Sequence, residues 1–188
     1  MPALTKRQKA QRRRRKYERL VESMERGKRT GRLTKARTTL HELGHLWFLW
    51  KLMECIDTFI KIIIVKDADG NEGSVHYTEV PSYTRRQLKA KLLMCIGGKA
   101  AELVFFSKCV ADGTDRDDWK RLAAKMGTNA PHAGKLRAAP TRLHQHGTEK
   151  GQKTLKKHRK QLLRMAVKGM MNRTMFRPEV EEYVLMLF

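Results

Sequence analysis

The stretch TTLHELGHLWFLW, residues 38–50, governs the interpretation of the whole chain. It places His41 and His45 four residues apart, with Glu42 directly after the first histidine, and then becomes almost wholly apolar. Residues four apart share one face of a helix, so the two imidazoles can bind a single ion. Glu42 then stands where it can accept a proton from water activated by zinc, and it is not itself a ligand. The pattern predicts a zinc site on a buried helix over about residues 38–54.

This interpretation needs a third protein ligand, because a catalytic zinc ion is held by three side chains and keeps one position open. Without it, the same pattern would describe a buried helix whose histidines bond to the backbone. The extended form H-E-x-x-H-x-x-G-x-x-H is excluded, because Phe48 replaces its glycine and Lys51 its third histidine. Aspartates at a helix start also serve as caps, yet the acidic segment 112–118 is the expected source. The candidates are Asp112, Asp115, Asp117 and Asp118, with Glu102 as a further one.

Two short runs after the first helix have the character of β-strands. FIKIIIV, residues 59–65, is β-branched, and SVHYTEV, residues 74–80, alternates in polarity. The turn-forming sequence DADGNEG lies between them, so the two runs are predicted to pair as an antiparallel hairpin. His76 falls on this hairpin, where a single histidine is more typical of a half-exposed strand than of a metal site.

The remainder of the chain is predicted to be mostly helical. Thr84 and Gln87 form a capping box that opens a long helix over residues 85–106. Gly97 and Gly98 within it indicate that another backbone approaches closely. The later predicted elements are a helix from Trp119, an irregular connection over 127–151 that contains His132, His144 and His146, an amphipathic helix over 154–174, and a short helix after Pro178. The predicted fold class is mainly α with a small β-hairpin or sheet.

The charge of the chain is strongly positive and unevenly distributed. Lys and Arg number 41 against 19 Asp and Glu, and residues 1–37 hold 15 basic and 3 acidic side chains. Such a block is typical of an arm that contacts polyanions, and it says little about the fold behind it. The chain is therefore divided into a basic N-terminal arm, residues 1–37, helical or disordered, and a domain over residues 38–188.

The cellular setting is predicted from cysteines and apolar runs. The three cysteines form no C-x-x-C pair, which favours reduced thiols in the cytoplasm. The basic N-terminus is not followed by the apolar core of a secretory signal. No membrane span is expected, because four charged residues interrupt the most apolar stretch, namely Lys51, Glu54, Asp57 and Lys61.

Four segments in order resemble the peptidase domain of the FtsH-type ATP-dependent zinc metalloproteases. They are TTLHELGH, SYTRRQLKAKLLMCIGGKAAELVFF, GTDRDDWKRLAAKM and LKKHRKQLLRMAVKGMMNRTMFRPEVEEYV, and together they cover roughly residues 38–184. The segment IGGKAAE makes the resemblance much more specific than H-E-x-x-H alone. The resemblance implies a helical zinc endopeptidase fold with Zn²⁺ as cofactor.

The resemblance also implies roles for individual residues. The two histidine ligands of the family fall on His41 and His45, and the general base falls on Glu42. The aspartate ligand of the family falls on Asp115 when the chains are aligned on the Leu122–Met126 segment. Alignment on Gly97–Gly98 or on Gly113 moves the same assignment to Asp118 or Asp117, respectively.

The chain departs from the family pattern in ways that bear on its substrates. Leu43 replaces a small residue, and the nucleotide-driven unfolding module and membrane anchor of the family are missing. Unfolded chains or peptides are therefore the expected substrates, with ATP dependence only if a separate motor protein acts with the chain. The resemblance also suggests a homo-oligomer. The alternative is a catalytically inactive, peptidase-like basic protein that binds nucleic acid or an acidic partner.

Overall fold

A computed structural model describes residues 5–25, 33–51, 59–64, 73–78, 83–110, 113–128 and 140–185. The elements in these ranges are mostly helical, with a small antiparallel sheet, so the predicted fold class is confirmed. The helices are α1 Lys6–Glu25, α2 Leu33–Lys51, α3 Arg85–Cys95, α4 Gly97–Phe106, α5 Gly113–Thr128, α6 Pro140–Lys157, α7 Arg159–Asn172 and α8 Arg177–Leu185. The strands are β1 Phe59–Ile63, β2 Ser74–Tyr77 and β3 Thr174–Phe176.

Helix α2 is the centre of the fold. All residues from 39 to 49 are buried, and α3, α4 and α7 pack around this helix. An apolar run that is buried on every side is the pattern of a central helix, as the sequence predicts. The helix begins at Leu33, and Ala36 in its first turns is fully buried in the core. The boundary between residues 37 and 38 thus falls inside α2, and the division into arm and domain stays a prediction.

The predicted hairpin is present and gains a third strand. Strands β1 and β2 are antiparallel, with Lys61 opposite His76, and the strand order is β2-β1-β3.

The predicted end of the helix over residues 154–174 is wrong, because α7 stops at Asn172. Arg173 has a φ of 67° and its N–H donates to Gly169 O, which turns the chain into β3. Met175 on β3 then enters the core.

The predicted helix over 85–106 is broken at Ile96. Its capping box is confirmed, because the Gln87 N–H donates to Thr84 Oγ1 and the Thr84 N–H donates to Gln87 Oε1. Ile96 has ψ near −1°, which separates α3 from α4. The break allows Gly97 to meet Gly44 of α2: a Cβ on Gly97 would lie 2.5 Å from Gly44 O. The close backbone approach that the paired glycines predict is therefore confirmed.

Three further predictions are wrong. Helix α5 begins at Gly113, six residues before Trp119. Helix α6 occupies much of the segment predicted to be irregular, so His144 and His146 lie on a helix, while His132 lies outside the described residues. The amphipathic helix after it is interrupted at His158. Helix α6 forms despite its glycines because it packs on α4, where a Cβ on Gly151 would lie 3.1 Å from Ala100 Cβ.

The helices of the described residues have no membrane-spanning character. None of them combines the length and the apolar composition that crossing a bilayer demands.

Candidate metal centre

Three buried polar side chains of helix α2 lie within five consecutive residues. His41, Glu42 and His45 are 7%, 8% and 8% exposed. The spacing of four residues places both imidazoles on one face, where their rings meet edge to face at 4.8 Å. The Nε2 atoms of the two rings are 3.0 Å apart. The predicted pair therefore converges on one point.

Helix α5 brings Asp115 to the same point. Its Oδ2 lies 3.0 Å from His41 Nε2 and 3.2 Å from His45 Nε2. Tetrahedral zinc with bonds of 2.0–2.1 Å holds its ligand atoms about 3.3 Å apart, so the triangle of donor atoms fits that ion. These three side chains form the candidate metal group among the described residues.

The alternative aspartates lie elsewhere. Asp117 and Asp118 are exposed and form ion pairs with Lys120 and Arg121, each three residues further along α5. Asp112 lies outside the described residues. The structure thus brings Asp115, and neither Asp117 nor Asp118, to the histidines. The role of Asp115 as a ligand stays a prediction.

Proton positions explain why this cluster suits a cation. His41 Nδ1 lies 2.8 Å from Glu102 Oε1, and His45 Nδ1 lies 2.7 Å from the Met94 carbonyl. Both partners are acceptors, so each Nδ1 carries a proton, and a ring in its neutral form directs the lone pair of Nε2 towards Asp115. Three acceptors within 3.2 Å repel one another unless a positive charge lies between them. A divalent ion could supply that charge.

The pKa values of His41, His45 and Asp115 also indicate that the cluster favours positive charge between its members. Burial alone lowers the pKa of His41, but hydrogen bonds to Asp115 and Glu102 outweigh it and raise that pKa from 6.5 to about 10. The pKa of His45 is raised as well, because the charge of Asp115 overcomes the effect of burial. The pKa of Asp115 is lowered against the effect of burial, mainly by the charge of His45. In the absence of a metal, protons hold this cluster together.

Glu102, the further candidate for the third ligand, lies behind His41. It is fully buried, with Oε1 facing His41 Nδ1. Its Oε2 accepts from the Val110 N–H at 2.9 Å and pairs with Arg37 at 3.4 Å. Both oxygens are therefore occupied away from the three donor atoms. Such a carboxylate fixes the tautomer and orientation of a ligand histidine. In the sequence, a single Glu within an apolar helix already indicates that Glu102 has a buried partner. Nothing in the sequence indicates that Arg37 pairs with it.

Replacing Glu102 with glutamine tests this orienting role. An amide offers one acceptor oxygen where the carboxylate offers two, so either His41 or the Val110 N–H loses its partner. We expect Glu102→Gln to weaken zinc binding about 10- to 100-fold in a chelator competition. Glu149→Gln on the exposed side of α6 is the matched control and should leave binding unchanged. Equal zinc affinity in both variants would show that Glu102 does not orient His41.

Gly98 lies directly against the ligand atoms. A Cβ at this position would be 2.3 Å from His41 Nε2 and 2.5 Å from His45 Nε2. No real Cβ tolerates such distances, so any side chain here must displace the imidazoles. The glycine therefore allows α4 to close one side of the metal centre.

The Gly98→Ala variant is expected to lose zinc affinity at least about 10-fold and to cost about 1–3 kcal/mol of stability through overpacking. Gly151→Ala in α6 is the control, because its nearest contact would be Ala100 Cβ at 3.1 Å, away from the ligands. Zinc competition and thermal unfolding measure the two effects. A Gly98→Ala protein with parental zinc affinity would contradict the contact.

Glu42 borders the metal cluster and the start of β2. A Cβ on Gly73, which has a φ of 125°, would lie 3.0 Å from Glu42 Oε1, so only glycine lets the chain pass here. Burial is the main cause that raises the pKa of Glu42, the charge of Asp115 adds to it, and the two histidines oppose it. A carboxylate with raised proton affinity beside a metal cluster is suited to take up a proton and release it again.

The other predicted histidines are not drawn into this site. His76 is exposed on β2 and bonds to Ser74 Oγ, as expected of a strand residue. His144 packs edge to face on Trp119 with ring centroids 5.1 Å apart. Neither belongs to the metal group found among the described residues.

Comparison with known proteins gives one similarity to a zinc enzyme. A scan against protein families returns no match. An ATP-dependent zinc metalloprotease FtsH of Rhodococcus erythropolis (strain PR4 / NBRC 100887) is 34% identical over 110 residues, which is 55% of this chain and 12% of that protein. The chain thus spans about one eighth of the length of that relative. This limited similarity, with a His-His-Asp cluster able to bind a metal, links the chain to zinc peptidases.

Proposed function

We propose that this protein is a zinc-dependent metalloendopeptidase. The observation that carries the proposal is the convergence of three donor atoms from His41, His45 and Asp115, with the Glu42 carboxylate one residue from the first. The similarity to a zinc metalloprotease supports the same chemistry. A helix that only buried its histidines would need neither the aspartate nor the glutamate beside them.

The residues of the site have separate roles in peptide hydrolysis. His41, His45 and Asp115 would hold the zinc ion, with Glu102 and the Met94 carbonyl keeping both imidazoles in the binding tautomer. When bound, zinc supplies Lewis acidity that activates water and polarises the scissile carbonyl. Glu42 takes the proton from the attacking water and passes it to the leaving amine nitrogen. The raised pKa of Glu42 favours the first of these transfers, the uptake of the proton from water.

The sheet offers a place for an extended substrate. Strand β2 lies at one edge of the order β2-β1-β3, and Gly73, the residue before it, lies against the Glu42 side chain. A peptide that adds to this edge by backbone hydrogen bonds would run past the general base. Backbone recognition of this kind suits unfolded chains and peptides, which are the proposed substrates. ATP dependence would require a separate motor protein.

The alternative, an inactive peptidase-like protein, is disfavoured by the geometry. Three potential metal ligands converge, and binding to a polyanion alone does not require Gly98 against the two imidazoles. Contact of the basic arm with a polyanion is compatible with either function. A homo-oligomer and a cytoplasmic location stay predictions, and a mass measurement in solution tests the first.

Metal analysis and a cleavage assay test the function together. The purified protein is expected to carry one zinc ion per chain and to cleave unfolded casein. Chelation should abolish cleavage and added zinc should restore it, because the donor triangle fits that ion. A protein that binds no zinc and leaves casein intact would refute the proposal.

A further inference from the structure

The first half of α1 projects into solvent. Every residue from 5 to 16 is exposed, so this half of the helix has no packed face. Nine of the 14 residues between Lys6 and Arg19 are basic. Since α1 also lies against α7, the exposed half is attached to the body through the remainder of the helix.

Repulsion between basic side chains destabilises the exposed half of α1. Arg12 precedes Lys16 by four residues, and Arg15 stands in the same relation to Arg19, so each pair of cations shares a face. Glu18, which pairs with Arg14 at 2.9 Å, is the only acidic residue between Lys6 and Arg19. A helix without tertiary packing is also marginal by itself. A partner that supplies negative charge along the helix would stabilise it.

The distribution of basic side chains around α1 indicates which kind of negatively charged partner fits this helix. Arg12 to Arg15 are consecutive, and steps of 100° distribute them around the helix. A membrane surface or a folded protein presents charge from one side, and residues 5–16 hold only Ala10 as an apolar residue for a bilayer. The major groove of B-form DNA is about 12 Å wide, admits a helix and has phosphates on both walls. The major groove of an RNA duplex is too narrow and deep for this.

A second group of basic residues lies on α6 and α7, the latter being the helix that α1 contacts. Its members are exposed, and within each helix they lie on one face: on α6, Lys153 precedes Lys156 and Lys157 by three and four residues, and on α7, Lys160 precedes Arg164 by four. This basic stripe consists of Lys153, Lys156, Lys157, Lys160 and Arg164. Glu149 is the only acidic residue between 140 and 173. The stripe can therefore contact phosphates next to those that α1 engages.

We propose that the basic half of α1, residues 6–16, binds in the major groove of a DNA duplex and that the basic stripe contacts the adjacent backbone. The contacts are to phosphates, for which arginine provides paired N–H donors. Binding is thus independent of base sequence, since phosphate contacts position a protein without specifying bases. This surface contains none of the residues of the metal centre, so the peptidase activity would be delivered to DNA.

Fluorescence anisotropy with the full chain and a labelled duplex of about 20 base pairs tests the proposal at salt concentrations from about 0.05 to 0.2 M. The test variant replaces Lys9, Arg12, Arg15 and Lys16 with glutamine. The control variant removes the same charge from exposed positions on other helices and loops, at Arg86, Lys89, Lys108 and Lys125. The test variant should lose about 100-fold or more in affinity and its salt slope should fall by about 3 to 4, while the control changes little.

Circular dichroism, thermal unfolding and casein cleavage distinguish a lost DNA contact from a damaged fold. The parent protein should gain helical circular dichroism with the duplex, and both variants should retain the thermal stability and casein cleavage of the parent. Failure of the parent to bind the duplex, or equal losses in the two variants, would overturn the proposal. Tighter binding to an RNA duplex or to phosphatidylserine vesicles than to DNA would overturn it as well.

Discussion

Asp115→Asn is expected to release zinc and to abolish peptide hydrolysis. Two histidines alone hold zinc weakly, and the carboxylate both neutralises charge and fixes the open position of the ion. The asparagine amide has nearly the same shape but carries no charge, and its NH₂ group can face the Nε2 lone pairs that zinc needs. The loss should therefore exceed that of Glu102→Gln, which leaves all three donor atoms in place. Zinc content after mild chelation measures it.

Asp117→Asn and Asp118→Asn are the matched controls, because they lie on the same helix but pair with Lys120 and Arg121 in solvent. Removing these exposed pairs should leave the zinc content and the melting temperature nearly unchanged, because solvent screens both of them. If either control variant lost zinc while Asp115→Asn retained it, the aspartate replaced in that control would be the third zinc ligand. It would also show that α5 is rotated relative to this structure.

Glu42→Gln is expected to reduce casein cleavage by about 100- to 10,000-fold while the zinc content stays at one ion per chain. The amide cannot accept a proton from water, but it occupies the same volume and leaves His41, His45 and Asp115 intact. The separation of activity from metal content distinguishes a general base from a ligand. Glu149→Gln again controls for loss of one exposed carboxylate. Parental cleavage by Glu42→Gln would remove this residue from the mechanism.

Local features were predictable because their geometry depends on neighbours in the sequence. The spacing of four residues places His41 and His45 on one helical face whatever surrounds it. The capping box at Thr84 and the antiparallel hairpin arise in the same way, from bonds between residues close along the chain. The burial of α2 follows from its apolar run, which leaves no polar side for solvent.

The boundaries of helices were less predictable, because weak propensities yield to packing. Pro140, His144 and Gly151 indicate an irregular segment, yet contact with α4 makes it helix α6. The helix over 85–106 has no proline to break it, and the break at Ile96 accompanies a contact between Gly97 and Gly44 that is distant in the chain. Strand β3 similarly exists because β1 offers it a free edge.

The sequence by itself determined that one turn of a buried helix presents two imidazoles and a carboxylate, since α-helical periodicity is a local property. It also narrowed the third partner to a few aspartates on one segment. Only the tertiary structure decided among them: Trp119 packs beside Cys95 and Ile96, which sets the rotation of α5 and turns Asp115, one turn earlier, towards the histidines. The same packing leaves Asp117 and Asp118 in solvent. The position of Glu102 behind His41 was likewise decided in three dimensions, because a buried carboxylate must bond to donors, and here these come from other parts of the chain.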